Sequence, residues 1–220
     1  MDINWDNHRH QYLNALLQDV VPFWEQYSID TVSGGFFTCL DAQGSCYDTD
    51  KFIWLQARQV WTFAMLYQRL DPQQRWLDIA THGIQFIEKF AFAPNGDCYF
   101  ALDRQGNPLV APYNIFSDCF VAMAYSTYAT ATGEQRYSHE ALRLFNRIME
   151  RAPNPKGAYS KAVGGTRPLK NFALPMILCN LTLELSDVLP PEQVAQTIAH
   201  CTHEVLGHFW IKSNSYYWKM

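Results

Sequence analysis

In the stretch DTDKFIWLQARQVWTFAMLYQRL, residues 48 to 70, apolar and amide side chains recur at helical spacing (Phe52, Leu55, Gln56, Gln59, Val60, Phe63, Leu66 and Tyr67), yet Arg58 stands among tryptophans. A fixed guanidinium suits an oxygen on which negative charge develops during a reaction. It equally suits an ion pair with Asp48 or Asp50 that ties loop to helix. On these residues alone both readings stand.

Three further constellations carry chemical potential. Asp48, Asp50, Asp103 and Asp118 could supply the two carboxylates, set roughly 5 to 9.5 Å apart, that cleavage of a glycosidic bond needs. Asp118, one turn past Asn114 on an apolar stretch, is the foremost cleft candidate, with a hydrogen-bonded core aspartate as the alternative. In HCTHEVLGH, His200, His203 and Glu204 have i, i+3, i+4 spacing, but His208 follows His203 by five residues and fails the H-E-x-x-H pattern. No metal is expected there. In NPKGAYSKAVGGTRPLK, residues 154 to 170, Gly157, Gly164 and Gly165 with Lys156, Lys161, Arg167 and Lys170 offer backbone amides and cations to an anion. No Gly-Lys-Ser/Thr opens a helix, so this is not a Walker loop, and an ordinary basic turn competes with an anion site.

The 220 residues, 48% apolar and 17% charged, suffice for one sizeable core or two small ones, and the chain reads as soluble and globular. Aromatics make up 15%, including seven Trp and twelve Tyr, which places ring-shaped ligands such as carbohydrates among the expectations. A net charge of −4 without a Lys/Arg run longer than a pair argues against nucleic acid and against a membrane-surface patch. The N-terminus lacks a secretory pattern and no long apolar stretch could span a bilayer, so the expected location is the cytoplasm. Six dispersed cysteines without a C-x-x-C pair are expected to be free thiols filling space.

The elements that must position these residues repeat. SGGFFTCLDAQG, PNGDCYFALDRQG and NPKGAYSKAVGG resemble one another, and Gly35, Gly96 and Gly157 fall 61 residues apart each time. Each glycine is followed by an aromatic and then by a second turn at Gly44, Gly106 or Gly164, which reads as a short hairpin or extended loop. A helix is expected before each loop (8–27, 72–91, 134–151) and after each (52–70, 114–132, 170–186). The leading helices keep a polar face and the following ones are apolar nearly all round, so the fold class is all-α: a two-layer toroid of α-hairpins, amphipathic helices outside and buried ones inside. Six such periods would take roughly 366 residues, so three hairpins and the start of a fourth make an incomplete ring. Half a ring exposes an apolar face, so the chain is either truncated or associates with something. Residues 1–209 are read as the barrel portion and 210–220 as a divergent tail outside any unit.

The stretches VVPFWEQYSID, GGFFTCLD, YDTDKFIWLQARQVWTF, PYNIFSDCFVAMA, NPKGAYSK and GTRPLKNFALPMIL resemble the N-terminal half of the N-acylglucosamine 2-epimerase family, also called the renin-binding protein family. The resemblance runs from about residue 10 to about residue 209. It implies an (α/α)6 barrel, usually homodimeric, that interconverts N-acetylglucosamine and N-acetylmannosamine, with ATP as a non-consumed activator in many members.

The resemblance also assigns residues. It places Arg58 in the sugar cleft near the open-chain carbonyl, sets Tyr113 and Asn114 beside the sugar at the start of the helix that carries Asp118, and associates Lys156, Gly157, Lys161, Arg167 and Lys170 with nucleotide activation. Epimerisation at C2 needs an acid/base group on each face of the planar intermediate. The family's two catalytic histidines belong to its C-terminal half, and none of this chain's seven histidines matches them. The competing readings are an (α/α)6-barrel glycoside hydrolase and a non-catalytic binding fragment.

Overall fold

A computed structural model describes residues 4–159, 170–211 and 216–217. The first leading helix is built from α1 (Trp5–Asn14), a wider π-type stretch (Ala15–Val20) and α2 (Val21–Tyr27). Then come α3 (Ile53–Arg69), α4 (Gln74–Phe90), α5 (Phe116–Thr132), α6 (Gln135–Arg151), α7 (Ala173–Glu184) and α8 (Pro191–His208). α3 packs against α4 and α5, α5 against α6 and α7, and α7 against α8. The inner layer is therefore α3, α5, α7, and the outer layer is the 5–27 helix, α4, α6, α8. α5 is buried along an unbroken run from Val121 to Ala129, as expected of a helix apolar all round. No helix among the described residues is long and apolar enough to cross a membrane.

The period is visible in individual contacts. Arg75 and Arg136, 61 residues apart in sequence, each pair with a glutamate of the preceding outer helix: Arg75 with Glu25 at 3.2 Å and Arg136 with Glu88 at 3.1 Å. The three repeat glycines share a left-handed backbone, with φ of +67° at Gly35, +83° at Gly96 and +50° at Gly157. The second-turn glycines press on the aromatic that closes each leading helix, Gly44 on Tyr27 and Gly106 on Phe90. Only a residue without a Cβ fits both the φ and the approach.

The loops at the end where the inner helices begin form small antiparallel pairings. β1 (Cys39–Leu40) pairs with β2 (Cys46–Asp48), while β3 (Lys51–Phe52), β4 (Ala101–Leu102) and β5 (Pro108–Val110) form one sheet in the order β3-β4-β5. Because Lys51 opposes Leu102, this sheet joins the first unit's loop to the second's. A buried charge cluster fastens the same junction. Lys51, wholly buried, donates to Asp30 Oδ2 at 3.0 Å, to the Arg104 carbonyl at 3.0 Å and to the Gly34 carbonyl, and Arg104 grips both oxygens of Asp30 at 2.9 and 3.1 Å.

One expectation is corrected here. Asn114 does not open the inner helix. It precedes α5 by two residues, and its side chain accepts the Phe116 N–H at 2.9 Å, as Asn171 does for Ala173 ahead of α7. Short amide side chains compete for exposed backbone donors, which places them outside the helix start. Beyond α8 the described residues form one further pairing. β6 (Trp210–Ile211) pairs with β7 (Tyr216–Tyr217) two residues after α8 ends, where Ile29 bridges Phe36 after α2 and Phe92 bridges Cys98 after α4. The six cysteines are unbridged, with Cys98, Cys119 and Cys201 buried.

Candidate active site

The ring-interior face of α3 is marked by Trp54, Arg58 and Trp61, which recur at i, i+4, i+7 and so share one side. Trp61 Nε1 donates to Glu184 on α7 at 3.1 Å, reaching past the intervening α5, so this side looks into the arc. Nearer the helix starts, the Arg58 guanidinium lies 5.8 Å from the Trp54 ring centre and 5.2 Å from that of Phe120 on α5, and the two rings stand 6.1 Å apart. Arg58 is exposed, and among the described residues no carboxylate pairs with it. The loop anchor is not formed, because Asp48 accepts the Asp50 N–H at 2.9 Å and closes its own turn. Burial, followed by the charges of Asp48 and Asp103, raises the pKa of Asp50. A cavity of about 300 Å³ beside Arg58 is lined by Leu16, Val20, Trp24, Gln59 and Thr62, among others.

A row of aromatics crosses the mouth from loop to loop. Phe52 meets Phe100 at 5.6 Å, Phe100 meets Tyr113 at 4.9 Å, and Tyr113 meets Tyr159 at 6.0 Å, so one ring row draws on all three units. Phe52, Phe100 and Tyr113 are half-buried and Tyr159 is exposed, and flat rings so placed present apolar faces on which a sugar ring can stack. The fragments DCYF and GAYS mark Phe100 and Tyr159 by their place after the repeat glycines.

Asp118 is placed elsewhere. Phe120 and Asp118 are two residues apart on α5, about 200° around the helix axis, so they face opposite ways. Asp118 is 1% exposed; it accepts the Cys98 N–H at 3.1 Å and lies 3.2 Å from Arg151 Nη1. Its Oδ2 makes no hydrogen bond and is neutralised by the Arg151 charge alone. Burial raises its pKa, and Arg151 opposes that rise. Arg151 also binds Asp97 Oδ1 at 2.8 Å and the Asn114 carbonyl at 3.3 Å, and Arg147 binds Asp97 at 2.6 Å. Sequence reasoning passed over this network, whose only signal is two arginines at i, i+4 on an outer helix. Asp103 spends its oxygens on Asn107, at 2.8 Å twice. Asp48, Asp103 and Asp118 are thus committed to turns and a buried ion pair.

In the glycine-lysine segment, Lys156 and Gly157 sit in a tight turn through Tyr159, and Lys170 pairs with Glu204 at 2.7 Å. Lys161, Arg167, Gly164 and Gly165 lie outside the described residues. Glu204 also faces His208 at 3.5 Å, and no group of three metal-ligating side chains forms among the described residues. Every histidine stands on an outer helix: His8 and His10 on α1, His82 on α4, His139 on α6, and His200, His203 and His208 on α8. His82 Nε2 is held by the Gly35 carbonyl at 2.9 Å.

The model of the family described as N-acylglucosamine 2-epimerase (GlcNAc 2-epimerase) matches residues 35–217. The N-acylglucosamine 2-epimerase of Rattus norvegicus is 36% identical over 205 residues, 90% of this chain and 49% of that protein. A cellobiose 2-epimerase of Bacteroides fragilis is 29% identical over 142 residues, 64% of this chain and 36% of that one. The solved cellobiose 2-epimerase of Bacillus thermoamylovorans superposes with a TM-score of 0.82 at 18% identity, covering 98% of this chain and 59% of that one. Its fold is the (α/α)6 barrel expected from the 61-residue period. The chain spans about half the length of the curated relatives it matches. With 183 consecutive residues matched and the helical arc superposed, the chain belongs to the N-acylglucosamine 2-epimerase family.

Proposed function

We propose that this chain is the arginine-bearing half of a sugar 2-epimerase that interconverts N-acetylglucosamine and N-acetylmannosamine by removing and returning the C2 proton of the open-chain sugar. The observation that carries the reading is Arg58, seated on Trp54 and Phe120 with its charge uncommitted among the described residues. Deprotonation next to an aldehyde puts negative charge on the carbonyl oxygen, and Arg58 is disposed to hold that oxygen as the charge grows. Tyr113 and the mouth aromatics stack against the sugar.

In this reading Asn114 and Asp118 act by holding the start of α5, not by touching substrate. The half contributes no acid/base pair, since all seven histidines lie on outer helices. ATP acts as an activator near Lys156 and Gly157 and is not consumed. The completed protein pairs as a homodimer in the cytoplasm.

The test is binding of N-acetylmannosamine followed by saturation-transfer NMR. The native chain should bind weakly, Arg58→Met should lose binding at unchanged helicity, and equal binding by both would remove Arg58 from the site.

A further inference from the structure

We propose that Trp61 and Glu184 form the floor of the sugar cleft and make it selective for aldoses, whose carbonyl ends the carbon chain, over ketoses, which carry a hydroxymethyl group beyond it. The inference rests on the reading of Arg58 as the residue that holds the carbonyl oxygen.

α3 and α7 are not neighbours in the inner layer, because α5 stands between them and packs on both. Their side chains nevertheless meet across the arc, where Trp61 Nε1 donates to Glu184 Oε2 at 3.1 Å. Three further contacts hold this crossing. Arg69 Nη2, two turns along α3, lies 3.7 Å from the same oxygen. Ser126 Oγ of α5 donates to the Glu184 carbonyl at 3.2 Å, and Asn180 Nδ2 of α7 meets the Met123 sulfur of α5 at 3.9 Å. The Glu184 side chain is 17% exposed and Trp61 is half-buried. The pair is thus partly withdrawn from water, where a charge-assisted hydrogen bond gains strength.

The depth of the crossing follows from helix geometry. Trp61 lies three residues beyond Arg58 on the same face of α3, about 4.5 Å further from the mouth. Helical side chains lean toward the helix start, and the Arg58 guanidinium does so, lying over Trp54. The guanidinium therefore points to the mouth and the indole stands beneath it. A sugar that stacks on the mouth aromatics and gives its carbonyl oxygen to Arg58 presses whatever lies past the carbonyl carbon onto the crossing. In an aldose that is a hydrogen atom. In a ketose it is a hydroxymethyl group, which needs the space that Trp61 and Glu184 fill.

The experiment reads binding of N-acetylmannosamine and of fructose to the 220-residue chain by saturation-transfer NMR, with helicity checked for each variant. Fructose should bind the native chain at least about tenfold more weakly, the usual worth of a small group that a pocket has no room for. Glu184→Ala, and Trp61→Phe, which keeps the ring but loses its tether, should each close most of that gap by strengthening fructose binding. Glu184→Gln, whose amide oxygen still accepts the indole N–H, should keep the native preference. A pair that only stabilised the fold would weaken both sugars together, and that result would overturn the proposal. Equal binding of the two sugars by the native chain would overturn it as well, while leaving Arg58 in the site. Binding of neither sugar would sink the sugar reading itself and this inference with it.

Discussion

The guanidinium of Arg58 lies 5.2 Å from the centre of the Phe120 ring, whereas Asp118, two residues earlier on the same helix, lies 3.2 Å from Arg151 on the other side. α5 thus divides its work: one face holds the candidate site and the opposite face holds the scaffold.

Arg58→Met should change stability by no more than about 0.5 kcal/mol, because an exposed side chain with no ion pair among the described residues contributes little to folding. Urea denaturation checks this. In a completed barrel the same change should slow C2 exchange by about 100- to 1,000-fold, the usual cost of losing one donor to a developing oxyanion.

Asp118→Ala should cost about 1 to 3 kcal/mol, because it leaves the buried Cys98 N–H without its acceptor, while Arg151 keeps Asp97 as its charge partner. Sugar binding per folded molecule should stay the same. A loss of binding at full stability would return Asp118 to the cleft.

Asp30 gives a pH signature. Burial alone would raise its pKa, but the hydrogen bonds from Arg104 and Lys51, with the backbone N–H groups of Ser33 and Val32, outweigh burial and hold it well below the carboxylate range. A carboxylate with a depressed folded pKa stabilises fully above its unfolded value, about 4, and that stability drains away as the pH falls toward the folded value. The unfolding free energy should therefore decline below about pH 4. Asp30→Asn should flatten that decline and lower the plateau by about 3 to 5 kcal/mol, since Lys51 is left buried without its charge partner.

Gly106→Ala tests the repeat geometry. At φ +94°, with the new Cβ 2.4 Å from Phe90 Cδ1, the change should cost about 1 to 3 kcal/mol in thermal or urea unfolding. Gly133→Ala, also at positive φ but with nothing within 4 Å, should cost less.

Much of the fold was legible because the 61-residue spacing of Gly35, Gly96 and Gly157 reports one backbone requirement met three times. Inner and outer layers followed from where polar residues interrupt each helix. The pairing of Trp210 with Tyr217 left no trace because it runs through backbone atoms, which need neither a glycine nor a motif at that position. Arg58 was legible as a charge among tryptophans, but its freedom from Asp48 and Asp50 depended on turn geometry that spacing does not encode. Asp118 stayed open between a cleft and a core reading because an aspartate on an apolar helix looks the same from sequence whether it faces a cleft or a distant arginine. The ion pairs of Arg151, 54 residues from Asp97 and 33 from Asp118, are tertiary facts with no local trace.

The most direct measurement follows the C2 proton of N-acetylmannosamine by proton NMR in deuterium oxide, with this chain alone and with this chain fused to the unmatched part of the rat relative. The chain alone should leave the signal intact, and the fusion should erase it as N-acetylglucosamine forms, unless Arg58 has been replaced. Loss of the signal with the chain alone would place an acid/base group within these 220 residues and contradict the reading of an arginine-bearing half.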